Sequence, residues 1–151
     1  MKTIFTSVLV TGLSFLTFGS FAQTKDESHS KLTEHHSKVT EHAGIIKDKE
    51  TTKEEYKENS GHAGKHLEFS KKTHTELKTT MPEKYKAAAK PHHEAIEKHH
   101  AEATAHHKAL NAELAKEKHD KAKVKEHAGK MHTSVTNAET EHQKLKSKTS
   151  K

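Results

Sequence analysis

The sequence predicts an all-α protein: two related helical hairpins forming a four-helix bundle or an elongated antiparallel coiled coil. Three observations carry this. First, apolar residues recur every seven positions, as Leu32, Val39 and Ile46, and again as Ile96, Ala103, Leu110, Val124, Met131, Ala138 and Leu145, with Glu117 filling the one polar step. That spacing makes a stripe along one helix face. Second, Ala, Glu and Lys dominate, and these residues favour helix. Third, the two halves match. At a shift of 64, His29, Leu32, His35, His36, Val39, Thr40, His42 and Ile46 fall on His93, Ile96, His99, His100, Ala103, Thr104, His106 and Leu110. At a shift of 65, His62-Ala63-Gly64-Lys65 falls on His127-Ala128-Gly129-Lys130, and Thr75-Glu76 on Thr140-Glu141. Units near 29–92 and 93–151 follow, and a doubled helix–turn–helix buries its stripes best as an up-down bundle.

In chain order, residues 1–22 read as a cleaved signal peptide. Lys2 is followed by an uncharged, apolar stretch, and Ser20-Phe21-Ala22 is a small-x-small cleavage site. The apolar run is short for a membrane span. Gln23 to Ser28 read as a flexible leader. A first helix is expected from His29 to about Glu58, with Asn59-Ser60-Gly61 as its stop. A second helix carries Ala63, Leu67, Ser70, His74, Leu77 and Met81 on one face. Pro82 suits the first turn of the next helix, with Thr79 or Thr80 as cap. Pro91 predicts a kink or a true start. Periodicity then runs from His92 to about Leu145, weakened at Gly129, and the end from Ser147 to Lys151 should fray. The second unit has no counterpart of Asn-Ser-Gly, which locally favours the elongated arrangement.

Composition narrows the function. Removal of the leader takes four of the five Phe residues with it and leaves a thin core, 17 large apolar residues in 129. Zero Cys excludes disulfides, thiolate metal sites and covalent haem, and a lipoprotein anchor is not expected. All 27 basic residues are Lys, interleaved with 21 acidic ones. Without Arg forks or aromatic platforms, nucleic-acid binding is not expected. No Cys nucleophile, Gly-rich phosphate loop or acid–base pair in an apolar setting is present, so the chain is not expected to be an enzyme. A haem pocket would need more large apolar residues. The expected location is periplasmic or secreted after cleavage near Ala22, with no transmembrane span in the mature chain.

The chemistry lies in 17 His residues. Three doublets, His92/His93, His99/His100 and His106/His107, repeat every seven residues and form two stripes about 100° apart on a helix. A doublet cannot aim both rings at one seam, so half of each pair should face an edge or water. Residues seven apart stand roughly 10 Å apart, too far to share one ion through bonds of about 2 Å. Partners must come from adjacent turns or other helices. His99, Glu102 and His106 offer three- and four-residue spacing, and His62 and His66 with Glu58 form a second local chelate. His35, His42 and His100 are the expected cross-helix partners. Glu97-x-x-His100 and Glu139-x-x-His142 have the spacing used in di-iron bundles, but the further inward Glu residues of such a centre have no evident source. The reading is a His-rich extracytoplasmic protein that binds divalent transition metal (zinc, copper or nickel) for buffering or sequestration. The alternative is a non-enzymatic helical interaction or stress-protection protein, with a helical partner or a second copy on its coiled-coil seam and His as pH-responsive groups.

Overall fold

The computed structural model describes residues 17–149, with side chains from residue 26 onward. Of the leader expected over residues 1–22, residues 1–16 lie outside the described part. Four helices follow one another: α1 (Thr17–Asp48), α2 (Lys53–Thr79), α3 (Glu83–Ala115) and α4 (Lys121–Thr149). α1 packs on α2 and α4, and α3 packs on α4 and α2. The short connections make neighbours antiparallel, so the chain is an up-down four-helix bundle built of two hairpins. The elongated alternative is not adopted. At 27 to 33 residues, α2 to α4 are each roughly 40–50 Å long.

The helix ends differ from the sequence expectation in ways that local chemistry explains. α1 starts upstream of His29, so residues 23–28 are helical rather than a separate leader. It ends at Asp48, not near Glu58, because Thr52 opens α2 with a capping box. The Thr52 hydroxyl accepts from the Glu55 amide (3.2 Å), and the Glu55 carboxylate accepts from the Thr52 amide (2.9 Å). Asn59-Ser60-Gly61 consequently sits inside α2 and stops nothing. The Asn59 side-chain amide donates to the Glu55 carbonyl (2.9 Å), and Ser60 Oγ donates to Asn111 Oδ1 on α3 (2.6 Å). At the next boundary Pro82 is the N-cap. Thr79 and Thr80 do not cap α3; both hydroxyls donate back to the Glu76 carbonyl of α2. α3 runs through Pro91. The periodicity from His92 to Leu145 is broken after Ala115, where Glu117 would have had to be buried. Asp120 Oδ1 accepts from the Ala122 and Lys123 amides, opening α4 (2.9 and 3.3 Å). Ser147 and Thr149 are still helical, and Thr149 is buried.

Three apolar layers fill the interior. Ile46, Tyr56, Leu110, Leu114, Val124 and Ala128 close the end near the two hairpin loops. Val39, Ala43, Ala63, Leu67, Ala103, Met131 and Val135 form the middle, and Met81, Ala89, Ile96, Ala138 and Leu145 the far end. The seven-residue stripes supply both halves of this core. Leu32, Val39 and Ile46 and their counterparts Ile96, Ala103 and Leu110 are all fully buried. From the edge of the middle layer through the far layer, buried polar side chains interleave with the apolar ones.

Candidate metal centre

Six histidines and one glutamate make that polar layer. His29 and His36 come from α1, His74 from α2, His93 and His100 from α3, and Glu139 and His142 from α4. All six imidazoles are at most 4 % exposed. Each inner position follows from the heptad: His29/His36 and His93/His100 are seven apart, one rung removed from the apolar stripe. In the doublets 35/36, 92/93 and 99/100 the second residue is buried and the first lies at a helix edge, as two rings 100° apart must.

The contacts form a chain across the bundle. His36 Nδ1 lies 2.6 Å from Glu139 Oε2, and His142 Nδ1 lies 3.3 Å from the same oxygen. His36 Nε2 meets His100 Nε2 at 2.8 Å, although α1 and α3 are diagonal in the bundle. His29 Nδ1 meets His142 Nε2 at 2.8 Å, and His74 Nε2 meets His93 Nδ1 at 2.8 Å. One set of neutral tautomers satisfies the contacts around Glu139. His36 and His142 donate Nδ1–H to the carboxylate; His100 and His29 donate to the Nε2 atoms this leaves free. The carboxylate is the sink of two imidazole chains.

The electrostatics of His36, His74, His93 and His100 agree with neutral rings beside one anion. Burial, reinforced by the neighbouring His93, pushes the His74 imidazole down to about 3. Burial and the neighbouring His36 and His74 push His100 down to about 2. Burial also lowers His36, outweighing its bond to Glu139, and lowers His93. For Glu139 burial acts to raise the carboxyl, but the hydrogen bonds from His142, His36 and Gln143 override it and hold the group ionised far below the usual carboxylate range.

Three donor atoms converge. His36, Glu139 and His142 each offer one ligand atom, all within 4.8 Å of one another. Bonds of 2.0–2.1 Å in a tetrahedron place neighbouring ligand atoms about 3.3 Å apart, so small movements would gather these atoms around an ion. The other carboxylate oxygen, Oε1, accepts from Thr33 Oγ1 (2.9 Å) and from the Gln143 amide, which fixes the carboxylate with Oε2 toward the imidazoles. A cleft of about 350 Å³ between α1 and α4, lined by Thr33, Ser37, Thr40, Thr136, Thr140 and Gln143, leads from the surface to His36 and Glu139. Glu139 keeps 25 % of its side chain exposed there.

The residues singled out from the sequence are distributed between this layer and the surface. His100 joins the buried layer. His99 and Glu102 pair at the edge of α3 (2.9 Å), and His106 stacks on His127 of α4 with ring centres 5.9 Å apart. On the first hairpin His35 Nδ1 meets His66 Nδ1 at 3.3 Å, and His42 stacks on His62 at 5.0 Å. Glu97 stays at the surface, bonded to Lys78 (2.6 Å), so Glu97-x-x-His100 delivers only its histidine inward. Glu139-x-x-His142 delivers both. Among the described residues Glu139 is the one carboxylate of this layer, so the four-Glu pattern of a di-iron bundle is not met. Sequence reasoning did not assemble His29, His36, His74, His93, Glu139 and His142. Its signals were the Glu139-x-x-His142 spacing, the 29/93 and 36/100 repeat matches, and the place of His74 on the apolar face of the second helix. Comparison with protein-family models, curated proteins and solved structures returned no match.

Proposed function

We propose that this chain is an extracytoplasmic protein that binds a divalent transition metal at His36, Glu139 and His142, for buffering or sequestration rather than catalysis. The observation that carries the reading is the convergence of two imidazole nitrogens and one carboxylate oxygen in a buried layer. Imidazole and carboxylate donors with no thiol suit zinc, copper(II) or nickel. Glu139 offsets part of the charge that a buried dication brings. Ligation through Nδ1 moves the proton of each ligand ring to Nε2, where His100 and His29 stand as hydrogen-bond partners. Such partners orient ligating histidines and raise their basicity. The threonine-lined cleft supplies an approach, and the leader motif ending at Ala22 supports export.

The test is a zinc titration by calorimetry, with thermal unfolding before and after. We expect one tight equivalent and a rise in Tm for the parent protein, and loss of both in H36Q/H142Q. A parent protein that is fully helical with no Tm shift at saturating zinc would overturn the reading.

The second reading is a helical protein whose histidines respond to pH. It is favoured by His74 and His100, buried neutral and held well below the range in which free imidazole titrates. Under that reading acid loosens the bundle whether or not zinc is bound. Under the first, zinc shifts the acid transition to lower pH.

A further inference from the structure

The internal repeat places a second kind of histidine pair outside the buried layer, once on each hairpin. His42 of α1 stacks on His62 of α2 with ring centres 5.0 Å apart and planes 20° apart. Their counterparts at shifts of 64 and 65, His106 of α3 and His127 of α4, stack at 5.9 Å and 29°. The pairing therefore recurs across both hairpin interfaces at repeat-related positions. With nitrogens 2.0–2.1 Å from a shared ion at tetrahedral angles, ring centres stand roughly 5 Å apart. The first pair already has that ring separation, but neither pair gathers its donor atoms with a carboxylate as closely as the buried centre does, so both need side-chain rotation to close on an ion.

Each pair has a carboxylate at hand. His62 Nε2 lies 3.9 Å from Glu58 Oε1. His42, His62, Glu58, Glu55 and Asn59 line an open cleft of about 450 Å³. His42 Nδ1 donates to Asn59 Oδ1 (3.0 Å), which leaves Nε2 as the ligand atom. On the second hairpin Glu102, bonded to His99, stands one helical turn before His106 on α3. Burial and the neighbouring His127 lower His106, which keeps its lone pair available at neutral pH.

We propose that each hairpin carries an exterior site for a borderline divalent metal, His42/His62 with Glu58 on the first and His106/His127 with Glu102 on the second. The sites are separate from the buried centre and share no residue with it. The first is solvent-facing and the second half-buried, and both are shallower than the buried centre, so they bind and release faster than it does and raise the capacity of the chain. His35 and His66, one turn along the first hairpin, have no second-hairpin equivalent, because Met131 stands at the position matching His66.

The experiment is zinc titration of the full chain by calorimetry, with long-range ¹H–¹⁵N NMR of the imidazoles. We expect H42Q/H62Q and H106Q/H127Q each to lower the stoichiometry by one, and zinc to shift Nε2 of His42 in the parent. Circular dichroism confirms that the variants fold, since all four side chains lie at the surface or an edge. H119Q/H132Q, which removes two histidines that face no other histidine ring among the described residues, serves as control. If the paired variants lose no more zinc than this control, or His42 and His62 show no shift, the exterior sites do not exist. H36Q/H142Q separates the two claims: it removes the tight event and leaves the exterior equivalents in place.

Discussion

At the scale of single residues, Glu139 decides the character of the buried layer. It accepts hydrogen bonds from the imidazoles of His36 and His142 and is itself held by Thr33 and Gln143. Glu139→Gln keeps the shape but removes the anion and turns an acceptor into an amide donor. We expect it to cost about 3 kcal/mol in urea unfolding without metal, and to abolish tight zinc binding. Thr33→Val leaves all three ligands but frees the carboxylate to turn; zinc affinity should fall by about 10–100-fold with little change in apo stability. The His74–His93 pair makes a different prediction. Either single change to Leu strands a buried imidazole nitrogen, at about 1–3 kcal/mol. Changing both removes the need for a partner, so the double variant should be more stable than the sum of the singles. A double-mutant cycle in denaturant checks this.

At the scale of elements, the helix termini were decided by hydrogen-bonding side chains rather than by breaker composition. Thr52→Ala should cost about 1 kcal/mol by removing the capping box. Glycine shows the same contrast inside α2. A Cβ at Gly61 meets nothing within 4 Å, so Gly61→Ala should stabilise the protein by about 0.5–1 kcal/mol. A Cβ at Gly64 would lie 2.4 Å from the His107 ring, whose Nε2–H donates to the Ser60 carbonyl (2.9 Å). Gly64→Ala must expel that ring and forfeit the bond, so it should fall below Gly61→Ala in Tm. The same close approach explains why a glycine is required in the HAGK motif of the first unit. At Gly129 the neighbour is only the Lys47 stem.

At the scale of the whole molecule, a bundle with a thin apolar core keeps a layer of neutral imidazoles inside, and this ties its stability to pH. His74 and His100 sit well below their unfolded value of about 6.5, so below that pH the unfolded chain binds protons the folded chain does not. Their contribution is complete above about pH 6.5 and is lost as pH falls toward about 3. Each costs about 1.4 kcal/mol per pH unit in this window. At pH 4.5 the two together remove about 5 kcal/mol, comparable with the entire stability of many small domains. Glu139 acts in the same direction at lower pH, since its depressed carboxyl loses its contribution when it is protonated. We expect helicity at 222 nm to collapse in acid well above the pH at which a His-free bundle would unfold. Saturating zinc should move the midpoint downward, worth about 2.7 kcal/mol at 100-fold excess over Kd.

The architecture was legible in the sequence because a seven-residue apolar repeat can be buried in few ways. Leu32, Val39 and Ile46, with Ile96, Ala103 and Leu110, named the core of both hairpins before any contact was known. The presence of imidazole rungs beside that stripe was legible too, and so was the rule that one ring of each doublet must leave the interior. Which histidines meet was not. Periodicity fixes the face a side chain occupies on its own helix, whereas a metal centre needs atoms from α1 and α4 at one height. That height depends on where the helices end. Placing the first turn at Asn59 instead of Thr52 slides α2 by about two turns, and missing the break after Ala115 removes α4 as a separate partner. Only the packed bundle brought His36 to Glu139 and His142, because interhelical register is set by the capping and packing of all four helices together, and no local stretch of sequence contains it.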